Sequence, residues 1–160
     1  MLYKRAKSRR LPDAVAVLNG AGTYVAVHGV VRFFQRPNGV LVEVTFDGLP
    51  RKTGQCDQPI FGFHIHGGNS CTGNASDAFA DAGMHYNPHT CPHPYHAGDL
   101  PPIFGVKGKA YMSFLTNRFT VRDVLGKTII LHDKPDDFTT QPSGNAGNKI
   151  ACGIIGPVRR

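Results

Sequence analysis

The sequence predicts an all-β domain, a sandwich or barrel of short strands broken by two long loops. Runs of alternating, β-branched and aromatic residues recur along the chain, with Gly, Pro and Asn turn signals between them. No segment shows a long apolar repeat at the helical period. Residues 67–107 and 133–147 are rich in Gly, Pro, Asn, Asp and His and are too long to be plain connections in a compact domain, which marks them as functional loops.

The first strand is AVAVL, 14–18. VAVHGVVRFF (25–34) and GVLVEVTF (39–46) are the second and third. RPNG at 36–39 joins them as a hairpin, because Pro presets one turn dihedral and Asn-Gly accepts the left-handed backbone of tight turns. IFGFHIH (60–66) is the fourth. GKAYMSFLTNRFTV (108–121) holds one strand and the start of another, and GKTIILH (126–132) and NKIACGII (148–155) close the series.

With 160 residues the chain suits one domain with a real core. No run of about 18 apolar residues exists, so no membrane partner is expected. No long apolar stretch follows the basic start MLYKRAKSRRLPDAVAV, so no secretory signal is read and the cytoplasm is the expected compartment. The net charge is +7, and Lys4, Arg5, Lys7, Arg9, Arg10, Arg159 and Arg160 account for it: without them 11 basic residues face 11 acidic ones. The expected organisation is a basic, disordered tail over 1–13, a domain over 14–156 and a short tail over 157–160. The basic residues of the tail are not interleaved with aromatic ones, so specific nucleic-acid binding is not expected.

The chemistry gathers around histidine. Six of the eight histidines lie between 64 and 96. In GFHIHGGNS (62–70), His64 and His66 share one face of a strand, opposite Phe61, Phe63 and Ile65, and could hold one metal ion together. Two solvated histidines are the alternative for the pair alone. In GMHYNPHTCPHPYHAGDLP (83–101), His93, His96 and Asp99 are spaced three and three, a zinc-like set short of one ligand that His85 could supply. Turn formation is the other reading of that spacing. His132 ends the TIILH strand, and His85 is available to either set.

These stretches, together with HAGDL (96–100), GKTIILHDKPDD (126–137) and GNAGNKIACGII (144–155), resemble the copper/zinc superoxide dismutase family, in the family's order and over most of residues 14–156. The resemblance implies an eight-stranded Greek-key β-barrel that binds copper and zinc and disproportionates superoxide. It implies His64, His66, His85 and His132 as copper ligands and His85, His93, His96 and Asp99 as zinc ligands, with His85 bridging and also serving catalysis. Asp136 matches a carboxylate that links a copper histidine to a zinc histidine, and Cys71 and Cys152 match the family's disulfide. Lys149 stands where the family usually has an arginine beside copper; lysine keeps the charge but loses the planar fork that grips an anion at two points. Only Pro94 and Tyr95 separate His93 from His96, a short zinc loop. His28 and His89 match no ligand, and Cys56 and Cys91 are left as a second pair or as free thiols, with zinc ligation competing for Cys91. A metal-holding protein without turnover and a zinc hydrolase are the rival functions. A homodimer is a possible assembly.

Overall fold

The computed structural model describes residues 10–51, 54 and 59–159. The expectations for residues 1–9, for Cys56 and for Arg160 lie outside that range. Strand β1 (Ala14–Gly20) pairs antiparallel with β2 (His28–Arg36), which pairs with β3 (Gly39–Asp47) across the expected two-residue turn, Arg36 facing Gly39. Then come β4 (Ile60–Phe61), β5 (Phe63–His66), β6 (Ile103–Phe104) and β7 (Ala110–Thr116). A single helical turn, α1 (Val121–Val124), leads to β8 (Thr128–His132), β9 (Lys149–Ile154) and β10 (Gly156–Pro157).

The main sheet runs in the order β5-β8-β9-β1-β2-β3-β7, with β10 beside β1, and β4 pairs with β6 separately. β4 continues into β5, and β6 turns into β7 through the Val106–Lys109 bridge, so the short β4–β6 pair ties together the two ends of the curled sheet. After β3 the chain passes through β4 to β5 at the far end of the main sheet, and after β7 it crosses back to β8 beside β5. Such crossovers are the Greek-key arrangement of an antiparallel barrel. No helix among the described residues is long and apolar enough to cross a membrane.

Burial follows the two-residue period. Val40, Val42, Val44 and Phe46 of β3 are buried and alternate with half-buried neighbours. They pack with Leu18, Phe33, Phe61, Phe63, Ile65, Ile103, Ile129, Leu131 and Ile150 in one core.

Three strands depart from the sequence expectation. β2 starts at His28 rather than Val25, because the β1–β2 register pairs Asn19 with His28 and leaves 21–27 for a turn. The expected strand 60–66 splits at Gly62, whose N–H donates to the Lys134 carbonyl at 2.7 Å. A Cβ at Gly62 would stand 2.8 Å from that of Ala146, so the 133–147 loop needs glycine here to come this close. The expected second strand near 121 is instead α1: the Thr120 N–H donates to the Asp123 carboxylate at 2.8 Å, a capping contact written in the sequence as TVRD.

Candidate metal centre

β5 lies at the end of the sheet and is buried on both faces. Phe63 and Ile65 point into the core, and the long loop covers the face that carries His64 and His66. The loop also satisfies the strand's free edge. Ile65 N–H donates to Gly98 O (2.9 Å), Tyr86 N–H to Ile65 O (2.8 Å) and Leu100 N–H to Phe63 O (3.3 Å). Asp99 is thereby set beside His64 and His85 beside His66. An exposed strand edge needs such a partner, and this one delivers four donor residues along with it.

His64, His66, His85 and His132 form one buried group, and His85, His93, His96 and Asp99 form another; within each group the ligand atoms lie within 4.8 Å of one another. None of the seven residues is more than 6% exposed. His85 belongs to both groups, its ring centroid 3.9 Å from that of His64 and 5.6 Å from that of His96.

Nε2 of His64 and Nε2 of His93 contact the two oxygens of Asp136 at 2.7 and 2.9 Å. Nδ1 of His66 donates to Gly83 O at 2.7 Å, which turns its Nε2 towards Nε2 of His132, 3.3 Å away. Nδ1 of His64, Nε2 of His85 and Nδ1 of both His93 and His96 are buried with no hydrogen-bond partner. An orphaned buried nitrogen costs about 1–3 kcal/mol unless something occupies it. All four belong to residues of the two groups, where a metal ion would satisfy them. Asp99 reaches Nδ1 of His85 at 2.8 Å and approaches Nδ1 of His93 and His96 at 3.1 and 3.3 Å. Imidazole and carboxylate donors in these numbers fit copper and zinc.

Electrostatics keep the donors available. Burial lowers the pKa of His66 well below its ordinary value, and neighbouring His132 adds to the effect. Burial and nearby His64 bring His132 down to about 3. Burial also lowers His64 despite its bond to Asp136. These rings are therefore neutral at pH 7, the form that binds metal. Burial pushes the Asp136 carboxyl up, but hydrogen bonds from His64, Phe138 and His93 outweigh it and hold the group at about 2.

Several supporting residues have no local signal in the sequence. The Gln141 side-chain amide clasps the backbone of His93, accepting from its N–H at 3.0 Å and donating to its carbonyl at 2.7 Å. Arg118 Nη1 donates to the carbonyls of Pro94, His96 and Asp99 at 3.0–3.1 Å. Gly144 has φ +70°, and a Cβ there would fall 2.0 Å from Asp136 Oδ1, so the Asp136 bridge requires glycine behind it. The partners of Arg118 and Gln141 lie 19 to 48 residues away, beyond any motif.

Cys71 and Cys152 are disulfide-bonded, joining the start of the long loop to β9. Cys91 is free and belongs to neither donor group. His89 is likewise in neither group, and His28 lies on β2 with Nδ1 3.3 Å from Asn19 Oδ1. Lys149, at the start of β9, lines a cleft of about 300 Å³ together with His66, His85 and His132. Its Nζ bonds the Asp77 carboxylate at 2.5 Å, a partner the sequence did not suggest.

A Greek-key barrel whose loops bring together two four-donor groups with one histidine in common defines a protein built for a pair of metal ions. The family described as copper/zinc superoxide dismutase (SODC) matches residues 27–155, and the chain belongs to that family. Copper and zinc are the family's metals. The chain is 34% identical to superoxide dismutase [Cu-Zn] A of Xenopus laevis over 89% of its own length and 96% of the relative's. It is 35% identical to superoxide dismutase [Cu-Zn] of Deinococcus radiodurans over 81% and 77%. It is also 33% identical to the human copper chaperone for superoxide dismutase, over 92% of its own length but 54% of that protein's.

Proposed function

We propose that the chain disproportionates superoxide: two superoxide anions and two protons become dioxygen and hydrogen peroxide. The observation that carries this reading is the pair of complete donor groups sharing His85. His64, His66, His85 and His132 would hold copper, and His85, His93, His96 and Asp99 would hold zinc. Copper, when bound, supplies the one-electron exchange. The protein supplies a proton and access for the anion. Nε2 of His85 is buried without a hydrogen-bond partner, which supports giving it the proton passed to the reduced oxygen species. Its Nδ1 stays in the second group, 2.8 Å from Asp99, which keeps the ring in place as Nε2 changes protonation. Lys149 lines the cleft and attracts the anion.

Reconstituted protein is expected to hold one copper and one zinc by elemental analysis and to accelerate superoxide decay in stopped flow. The human chaperone relative supports a second reading, in which the same donors hold copper for delivery. Bound copper without faster superoxide decay would favour that reading and overturn the first.

Two substitutions probe the roles around the donors. Asp136→Ala is expected to weaken zinc binding about 10–100-fold, because Asp136 fixes the rings of His64 and His93 rather than touching the ion. Competition with a chromophoric chelator measures it, and unchanged zinc affinity would reduce Asp136 to a turn residue. Lys149→Ala is expected to slow superoxide decay and flatten its dependence on ionic strength while leaving the copper spectrum largely intact. Lys149→Arg should retain the rate or raise it. A Lys149→Ala rate equal to that of the unsubstituted protein at low salt would remove Lys149 from the account.

A further inference from the structure

Apart from the histidines, Asp77 and Lys149 are the only formally charged residues among the described ones that line the cleft, and they are paired with each other. The carboxylate is the fixed member. Its Oδ1 accepts from the Phe79 N–H at 3.0 Å, leaving Oδ2 for Lys149. The Asp77 N–H donates to Asn74 Oδ1 at 3.0 Å, and its carbonyl accepts from the N–H groups of Asn74 and Ala80 at 2.9 and 3.2 Å. Phe79, two residues on, is buried against Ala82, Ile130 and Cys152. The disulfide at Cys71 anchors the start of the segment. Lys149, by contrast, holds its ammonium on a flexible four-carbon stem.

We infer that Asp77 is a rate-setting residue of the cleft, a built-in carboxylate that competes with small monovalent anions for Lys149; the inference rests on the dismutase reading above. Superoxide carries the same single negative charge that the carboxylate already presents. An incoming anion must either draw Nζ away from Asp77 or cross a mouth whose fixed charges cancel. The anion-guiding charge is present but engaged, and Asp77 sets how much of it an arriving anion meets.

The test uses the full chain loaded with copper and zinc. Azide is the probe, followed through the copper absorption spectrum, and superoxide decay is measured separately. Asp77→Asn keeps the size of the side chain and an oxygen for the Phe79 N–H, and removes the charge. It is expected to tighten azide binding about two- to fivefold, the range an ion pair of modest exposure can account for. The superoxide rate should rise by a similar factor at low ionic strength and converge with that of the unsubstituted protein at high salt. In a Lys149→Ala background the same substitution should give a smaller gain, because no ammonium is released. Unchanged or weaker azide binding by Asp77→Asn overturns the inference. So does an equal gain in both backgrounds, which would make Asp77 only a distant negative charge. Tighter azide binding that depends on Lys149, with no superoxide decay in any variant, supports the inference and overturns the dismutase reading alone.

Discussion

His85→Ala is expected to lower the superoxide rate by more than about 100-fold, the lower end of what loss of a positioned proton donor costs. Among the described residues no other belongs to both donor groups, so this substitution leaves each group with three donors. The two losses differ in kind. In the first group His64, His66 and His132 remain, which on the proposed reading still retain copper, but the buried Nε2 to which that reading assigns the proton is gone. In the second group His93, His96 and Asp99 remain, and Asp99 loses the 2.8 Å contact that holds its Oδ1. Zinc affinity should therefore fall as well, by at least the roughly 10–100-fold seen when only a ligand's supporting partner is lost. Elemental analysis and stopped-flow decay on one preparation separate the effects. A variant that keeps both metals and most of its rate would show that His85 is not shared in function, whatever its position.

The disulfide is expected to give the largest effect on stability. Cys71→Ser with Cys152→Ser should destabilise the metal-free protein by about 4–5 kcal/mol on the chain-entropy account of cross-links. The size follows from the separation of 81 residues, a long loop whose freedom in the unfolded chain the bond removes. Chemical denaturation without metals is the right measurement, since bound ions add their own stabilisation by mass action. The bond also pins the segment carrying Asp77 and Phe79 against Ile130 and Cys152, where the Thr72–Asp81 side-chain hydrogen bond gives local support. A loss below about 1 kcal/mol would mean that this packing, and not the bond, holds the loop.

Much of the fold was legible because strand signals are local. The alternation in AVAVL and GVLVEVTF reappears as the buried faces of β1 and β3, and the RPNG turn joins β2 to β3. The pair β4–β6 and strand β10 were not legible, since two-residue strands have no period to read. The helical turn α1 was missed although its capping signature was present, because the apolar residues around it read as a strand.

The sequence by itself determined which donor atoms the protein owns and in what order they come. Side-chain chemistry is a property of each residue, so the histidines and Asp99 are candidate metal donors before any folding is considered, and the resemblance to the family sorts them into two sets. The resemblance to the family also implied that Lys149 is a charge near them. Only the tertiary structure decided what those groups face. His64 and His66 share a strand face by their spacing, but that face is buried because residues 85–100 lie along the edge of β5. Arg118 and Gln141 became supports of the zinc-like loop through contacts that span 19 to 48 residues. Lys149 met Asp77 across 72 residues, close enough to engage the charge that the sequence left free. Coulomb energy and hydrogen bonding depend on separation in space and on exclusion of water, and neither is fixed until distant segments have packed.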